Sequence, residues 1–199
     1  MADKPFAQSC ENNQQAILEQ LQKLINKPCN VLEIGSGTGQ HAVYFAKHLP
    51  FIHWQTSDKA ENHPGIKLWL QESQLANIKA PLTLDVSQKS QWPSQTYPAI
   101  YTANTAHIMS WQDVEAMFIG VAECLETEGI FIQYGPFNKN GEFTSESNAH
   151  FQLWLKSQAD HMGIRDLEEL ELLAEKVGLR LRDEILMPAN NFILVWGKG

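Results

Sequence analysis

Residues 30–43, Asn-Val-Leu-Glu-Ile-Gly-Ser-Gly-Thr-Gly-Gln-His-Ala-Val, constrain the fold more than any other part of the chain. A short apolar run carrying one acid, Glu33, leads into glycines at 35, 37 and 39, and a helical apolar period resumes beyond them. A strand that hands a loop without side chains to a helix N-terminus places backbone N–H groups at the carboxyl edge of a sheet. Open α/β sheets bind their ligands there. Dinucleotide folds space their glycines as G-x-G-x-x-G, and here Gln40 stands at the third position, so that spacing fails. Without a ligand, the same glycines make only a tight strand-to-helix turn.

The remainder of the chain repeats the strand–helix alternation. Ile17, Leu18, Leu21, Leu24 and Ile25 form one apolar stripe and predict an amphipathic helix over 11–26, ended by Lys27-Pro28. The strand 30–34 is followed by a helix over 39–49, stopped by Pro50. Further strands are expected at 51–56, 81–84, 99–103 and 130–134, with helices at 66–74 and 111–125 between them. Elements in this order imply right-handed crossovers and a mostly parallel sheet. Asp166 and Glu169 stand at the N-cap and N3 positions of a further helix, with Gly178 at its C′ position. Alternation at 179–185 and 191–196, across Met187-Pro188-Ala189-Asn190, predicts a terminal antiparallel hairpin.

Residues 135–165 interrupt this rhythm. They are polar and aromatic, and a stretch of that length within a compact domain reads as a lid or insertion over a site, with a short helix at 150–158. With no linker, repeat or low-complexity segment, the 199 residues read as one domain, 1–29 forming an N-terminal helical segment.

Composition narrows the function classes. The formal net charge is −8 with no basic cluster, which disfavours nucleic acid as a partner. Three cysteines in no C-x-x-C pair read as reduced thiols in a cytoplasmic setting. No signal peptide or membrane span is expected. The histidines are scattered without ligand spacing, so no metal site is expected.

The acids give the glycine loop its meaning. Asp58 lies 23 residues beyond Gly35, at the carboxyl end of the second strand, where a carboxylate accepts the hydroxyls of a ribose. Asp85 closes the third strand. Taken singly, each acid reads as a cap or a solvated loop residue. Together they end neighbouring strands beside the glycines. After the fourth strand, Asn104 is placed to shape the ligand pocket, and His107 stands at its mouth. His107 reads either as a structural hydrogen-bonding residue or as a group that takes a proton from a substrate.

The spacing Glu33-x-Gly35-x-Gly37-x-Gly39 resembles the first motif of class I S-adenosylmethionine-dependent methyltransferases. Asn-Pro-Pro-Tyr, the signature of amino-group methyltransferases acting on bases and glutamine, is absent after the fourth strand. The segments TANTAHIM (102–109), QYGPFNKNGEFTSESNAHFQLWLK (133–156), MGIRDLEEL (162–170) and MPANNFILVWGK (187–198) together resemble the family catalogued as domain of unknown function 938, which is similar to the methyltransferase-like 26 proteins. The pattern departs at Glu11-Asn12-Asn13, where the family is expected to carry Arg-Asn.

The resemblance implies a Rossmann-like class I methyltransferase fold, a mostly parallel seven-stranded sheet flanked by helices with a C-terminal antiparallel hairpin. It implies S-adenosylmethionine as cofactor, with Glu33, Gly35, Ser36, Gly37 and Gly39 forming its loop, Asp58 on the ribose, Asp85 near the adenine, and Asn104 at the pocket. His107 and Tyr134 are the candidates on the acceptor side, the acceptor being a small molecule. Arg165 reads as a carboxylate binder or as a structural partner of Asp166 or Glu169. Two other function classes compete: a non-catalytic binding protein that keeps the cofactor site as a sensor or assembly surface, and a nicotinamide-dependent oxidoreductase, against which the loop spacing argues.

Overall fold

A computed structural model describes residues 4–198; the ends of the expected single domain, residues 1–3 and 199, lie outside the described residues. Helix α1 (Gln8–Leu24) precedes β1 (Asn30–Ile34), α2 (Gln40–His48), β2 (His53–Asp58), α3 (His63–Ser73) and β3 (Ile78–Thr83). The second half runs β4 (Tyr97–Ala103), α4 (Trp111–Cys124), β5 (Leu125–Gly135), β6 (Phe137–Asn138), α5 (Glu146–Gln158), β7 (Arg165–Asp166), α6 (Leu167–Lys176), β8 (Leu179–Met187) and β9 (Asn191–Lys198). Seven strands form one sheet in the order β3-β2-β1-β4-β5-β9-β8. The pairs from β3 through β5 are parallel, and β9 runs antiparallel to both β5 and β8. The order reverses at β1, which lies between β2 and β4. Crevices in doubly wound sheets open at such a switch point.

The period of two in each strand divides the core. Val31 packs with Ile17, Leu21, Phe45 and Trp54 on the α1/α2 face. Its neighbours Leu32 and Ile34 pack with Val114, Phe118, Leu170 and Trp196 on the α4/α6 face. Each fully buried large side chain contributes about 1.5–3 kcal/mol against exposure, so these two layers hold the sheet rigid. Glu33 falls on the α1/α2 face and Gln133 on the other, where Trp196 Nε1 donates to Gln133 Oε1 at 3.1 Å.

Most differences from the expected boundaries have local causes. Helix α4 ends at Cys124 and β5 begins at once, so the strand starts at Leu125 rather than Ile130. Helix α1 starts at Gln8 without a side-chain cap and is preceded by Pro5-Phe6-Ala7, whose Ala7 N–H donates to Gln40 Oε1 at 2.6 Å. Residues 135–165 are ordered structure, not plain loop. Ser145 caps α5 through the Asn148 N–H, and β6 pairs with β7 in a separate two-stranded sheet. The Asp166 cap and Gly178 at φ +78° stand where the helix signals put them.

Candidate functional site

The loop after β1 is fastened to the tip of β2 by hydrogen bonds rather than by packing. Ser36 N–H donates to the Ser57 carbonyl at 2.9 Å, and Ser57 N–H donates to Ser36 Oγ at 3.1 Å. Ser36 Oγ also donates to Glu33 Oε2 at 2.7 Å, and Trp54 Nε1 reaches the same oxygen at 3.0 Å. Burial pushes the Glu33 carboxyl up to about 7; these two donors pull the other way, and the Asp58 charge adds to the rise. Beside Glu33, the Tyr101 hydroxyl is buried and has no hydrogen-bond partner among the described residues. Its pKa is driven upward by burial first and then by the Glu33 charge.

Gly35, Gly37 and Gly39 all have positive φ, at +71°, +57° and +90°. Their surroundings differ. A Cβ on Gly35 would stand 2.8 Å from Thr105 Cγ2, whereas one on Gly37 would meet nothing within 4 Å. The Gly37 side of the loop therefore faces open space. Gly39 begins α2 with no side-chain cap, and the first turn holds no acid.

Asp58 turns inward to this loop. Its Oδ2 accepts the Gly37 N–H at 2.7 Å, and its Oδ1 accepts from Lys59 N–H and Asn62 Nδ2 at 2.7 and 2.8 Å. Asp85 lies two residues beyond β3 rather than at its last position. Its carboxylate accepts from Ser87 N–H and Ser87 Oγ, with Lys59 Nζ at 3.5 Å. These partners hold it ionised, below the ordinary carboxylate range despite the opposing effect of desolvation.

A second region opens on the other side of β4. Asn104 takes up φ +58°, a left-handed conformation that asparagine tolerates better than most residues, and its N–H donates to the Tyr134 carbonyl at 2.9 Å. Thr102 Oγ1, bonded to the Ile34 carbonyl at 2.8 Å, meets Thr105 Oγ1 at 2.7 Å and ties this turn to the end of β1. The turn carries His107 into a cavity of about 720 Å³, lined also by Asn104 and Tyr134. Burial, reinforced by the Arg165 charge, drops the His107 pKa to about 4, so the ring is neutral near pH 7. Burial raises the Tyr134 hydroxyl.

The sequence candidates thus fall into two groups. Asn104, His107 and Tyr134 line the cavity; Glu33, the loop glycines, Ser36 and Asp58 do not and gather at the loop. Asp85 stands apart from it, linked to Lys59, the neighbour of Asp58. Arg165 binds neither expected partner directly. It donates to the backbone carbonyls of Ala106, Met109 and His161, clamping the His107 turn to the 135–165 segment. Backbone acceptors carry no sequence signature, so spacing alone points to Asp166 or Glu169 instead.

The other lining residues carry no individual signal: the sequence marks 11–13 only as a departure from the family pattern and 135–165 only as a segment over a site. Ser9, Asn12 and Asn13 come from the first turns of α1. The amphipathic period places that helix against the sheet but is silent about its polar edge. Asn13 Oδ1 meets His41 Nε2 at 2.7 Å, locking α1 to α2. From the inserted segment, α5 contributes Asn148, Phe151 and Trp154, and the β8–β9 turn contributes Ala189 and Asn191. Asn148 Nδ2 donates to the Asn190 carbonyl at 3.2 Å, so α5 is docked on that turn. Phe151 meets His107 edge-on with ring centroids 5.2 Å apart. Among the described residues no group of three or more His, Cys, Asp or Glu side chains is gathered as a metal site, and no helix is long and apolar enough to cross a membrane.

Sheet order, glycine loop and crevice define an α/β fold of the kind found in O-methyltransferase structures. A putative O-methyltransferase from Nostoc punctiforme PCC 73102 superposes with a TM-score of 0.81 at 17% identity, over 95% of this chain and 56% of that one. The mitomycin 7-O-methyltransferase MmcR superposes at 0.77 and 15% identity, over 96% of this chain and 58% of its own. CalO1, a methyltransferase in calicheamicin biosynthesis solved with S-adenosylhomocysteine bound, gives 0.77 and 15%, over 96% and 55%. The chain thus spans less than three fifths of the length of each. The chain belongs to the family described as protein of unknown function DUF938, whose model matches residues 4–198.

Proposed function

We propose that the chain is an S-adenosylmethionine-dependent methyltransferase acting on a small molecule. The observation that carries this reading is the open side of Gly37, with the Asp58 carboxylate bonded to its amide and a cavity containing His107 alongside. Main-chain space at Gly37, the uncapped start of α2 and the inward-facing Asp58 fit a nucleoside carrying an amino acid. In that assignment the loop from Gly35 through Gly39, with Ser36, receives the amino acid part, while Asp58 and Asp85 hold the ribose and adenine ends. Glu33 supports the loop from below, and Asn104 separates cofactor from acceptor.

When bound, S-adenosylmethionine supplies a methyl group on a sulfonium, for attack in line by a nucleophile held about 3–3.5 Å away. The chain's part is alignment and exclusion of water. A neutral His107 accepts a hydrogen bond from the acceptor's O–H or N–H and fixes its lone pair. With its pKa near 4, the imidazole is too weak a base to store the proton, which passes on to solvent. His107 is therefore an orienting acceptor more than a strong base, and Tyr134 borders the same space with its phenol protonated.

Calorimetry with S-adenosylmethionine and S-adenosylhomocysteine tests the reading. Saturable heat with both is expected; no heat with either at millimolar ligand overturns it. Transfer of labelled methyl to an acceptor pool separates an enzyme from a protein that only binds the cofactor.

A further inference from the structure

We infer that the methyl acceptor is an uncharged, flat aromatic compound carrying a hydroxyl group; the inference rests on the methyltransferase reading above and names the substrate class. Its basis is the wall of the cavity. Among the described residues lining that space there is no Asp, Glu, Lys or Arg. The polar groups are instead amides, those of Asn12, Asn13, Asn104, Asn148 and Asn191, with the hydroxyls of Ser9, Ser147 and Tyr134. Such groups donate and accept hydrogen bonds but offer no countercharge. An ionised guest drawn out of water without one loses several kcal/mol.

Two cations of the 135–165 segment are already engaged. Arg165 points its donors at the carbonyls of Ala106, Met109 and His161, and Lys139 is paired with Glu184. His107 is uncharged near neutral pH. Among the described residues lining the cavity, a carboxylate or phosphate on the acceptor finds no cation and an ammonium finds no acid.

The apolar part of the wall is largely aromatic. Phe151 and Trp154 lie with planes 11° apart and centroids 5.6 Å apart, and Trp154 is 54% exposed at the opening. Ile108, 46% exposed, borders the same opening. Aromatic surfaces favour a planar guest beyond the area it buries, through offset-stacked and edge-on contacts. A volume of about 720 Å³ lies within the range that encloses a molecule of several rings. Asn104 and His107 present polar atoms to one place beside Gly135, where a Cβ would lie in ordinary contact 3.8 Å from Asn104 Oδ1 and 4.0 Å from His107 Nδ1. A hydroxyl on the leading edge of the ring system reaches both groups.

The test uses the protein saturated with S-adenosylhomocysteine and three probes of one shape: 2-naphthol, 6-hydroxy-2-naphthoate and 6-(aminomethyl)-2-naphthol. Isothermal titration should give saturable binding of 2-naphthol, with both charged analogues at least about tenfold weaker, a ratio worth about 1.4 kcal/mol. Trp154→Ala, at an exposed position, should weaken 2-naphthol severalfold and leave S-adenosylhomocysteine binding unchanged. A charged analogue binding as tightly as 2-naphthol overturns the inference, as does absence of 2-naphthol binding to protein that binds S-adenosylhomocysteine normally. Failure of S-adenosylhomocysteine itself to bind strikes the cofactor assignment instead.

Discussion

The Gly37 amide donates to Asp58 Oδ2 at 2.7 Å, joining the glycine loop of β1 to the tip of β2 within the free protein. The carboxylate is therefore oriented before any ligand arrives. Asp58→Ala removes this bond and those from Lys59 and Asn62. The stability loss should be about 1–3 kcal/mol, the range for leaving such donors without an acceptor. The rise in melting temperature produced by S-adenosylhomocysteine in the parent protein should largely disappear. A variant with an undiminished rise would remove Asp58 from the cofactor site.

The two glycines flanking Ser36 separate folding from binding. Alanine in a left-handed conformation costs about 1–2 kcal/mol at either position. At Gly35 the new methyl also meets Thr105 at 2.8 Å, on a side chain whose hydroxyl is bonded to Thr102. At Gly37 it enters space free of protein atoms. Gly35→Ala should therefore melt lower than Gly37→Ala, while Gly37→Ala should retain its fold and lose affinity for S-adenosylhomocysteine. Thermal melts with and without ligand check both.

What the sequence disclosed follows from where the information is local. Breakers and short apolar runs located the main-sheet strands, and periodicity most helices, because Val31–Ile34 and the interior of β9 are buried without a break between two covered faces. Glu33, the glycines and Asp58 were legible because a backbone without side chains, followed by an acid at a strand tip, has few other uses. Asn104, His107 and Tyr134, which follow or end strands, were legible in the same way and line the cavity; the rest of its wall was not. Asn12, Asn13 and Asn148 are ordinary polar residues on helices, and only the docking of α1 and α5 over the sheet edge brings them together. The expected pairing of Arg165 with Asp166 or Glu169 fails because its acceptors are backbone carbonyls. Strands β6 and β7, two residues each, are too short for any period to show.

Two buried histidines set the response to acid. Burial drops both His41 and His107 to about 4, from an ordinary value of 6.5. A depressed pKa in a base means that the unfolded chain binds the proton first. The stability these groups contribute is present above about 6.5 and is lost as pH falls toward about 4. Each accounts for about 3 kcal/mol over that window at 1.36 kcal/mol per unit. Melting temperature should fall as pH is lowered from 6.5 to 4.5. His107→Asn should flatten that slope, and an unchanged slope would mean that His107 titrates normally.

Glu33 acts in the opposite sense within the same window. Its folded pKa of about 7 lies above the ordinary 4.5, so the folded protein holds a proton that the unfolded chain has released. The contribution is present below about 4.5 and is lost as pH rises through about 7. Between pH 4.5 and 6.5 the unfolded chain thus binds two histidine protons while the folded protein keeps one on Glu33. The net slope is about 1.4 kcal/mol per pH unit, upward with pH. Asp85 and Asp166, both held below the ordinary aspartate value, act at lower pH and leave this window alone. Glu33→Gln supplies an amide oxygen for the Ser36 and Trp54 donors without an ionisable proton. The slope should then roughly double, and the variant at pH 8 should be at least as stable as the parent. Urea titrations at half-unit pH steps measure both quantities, and a slope in Glu33→Gln equal to that of the parent would show Glu33 to be ionised throughout the window.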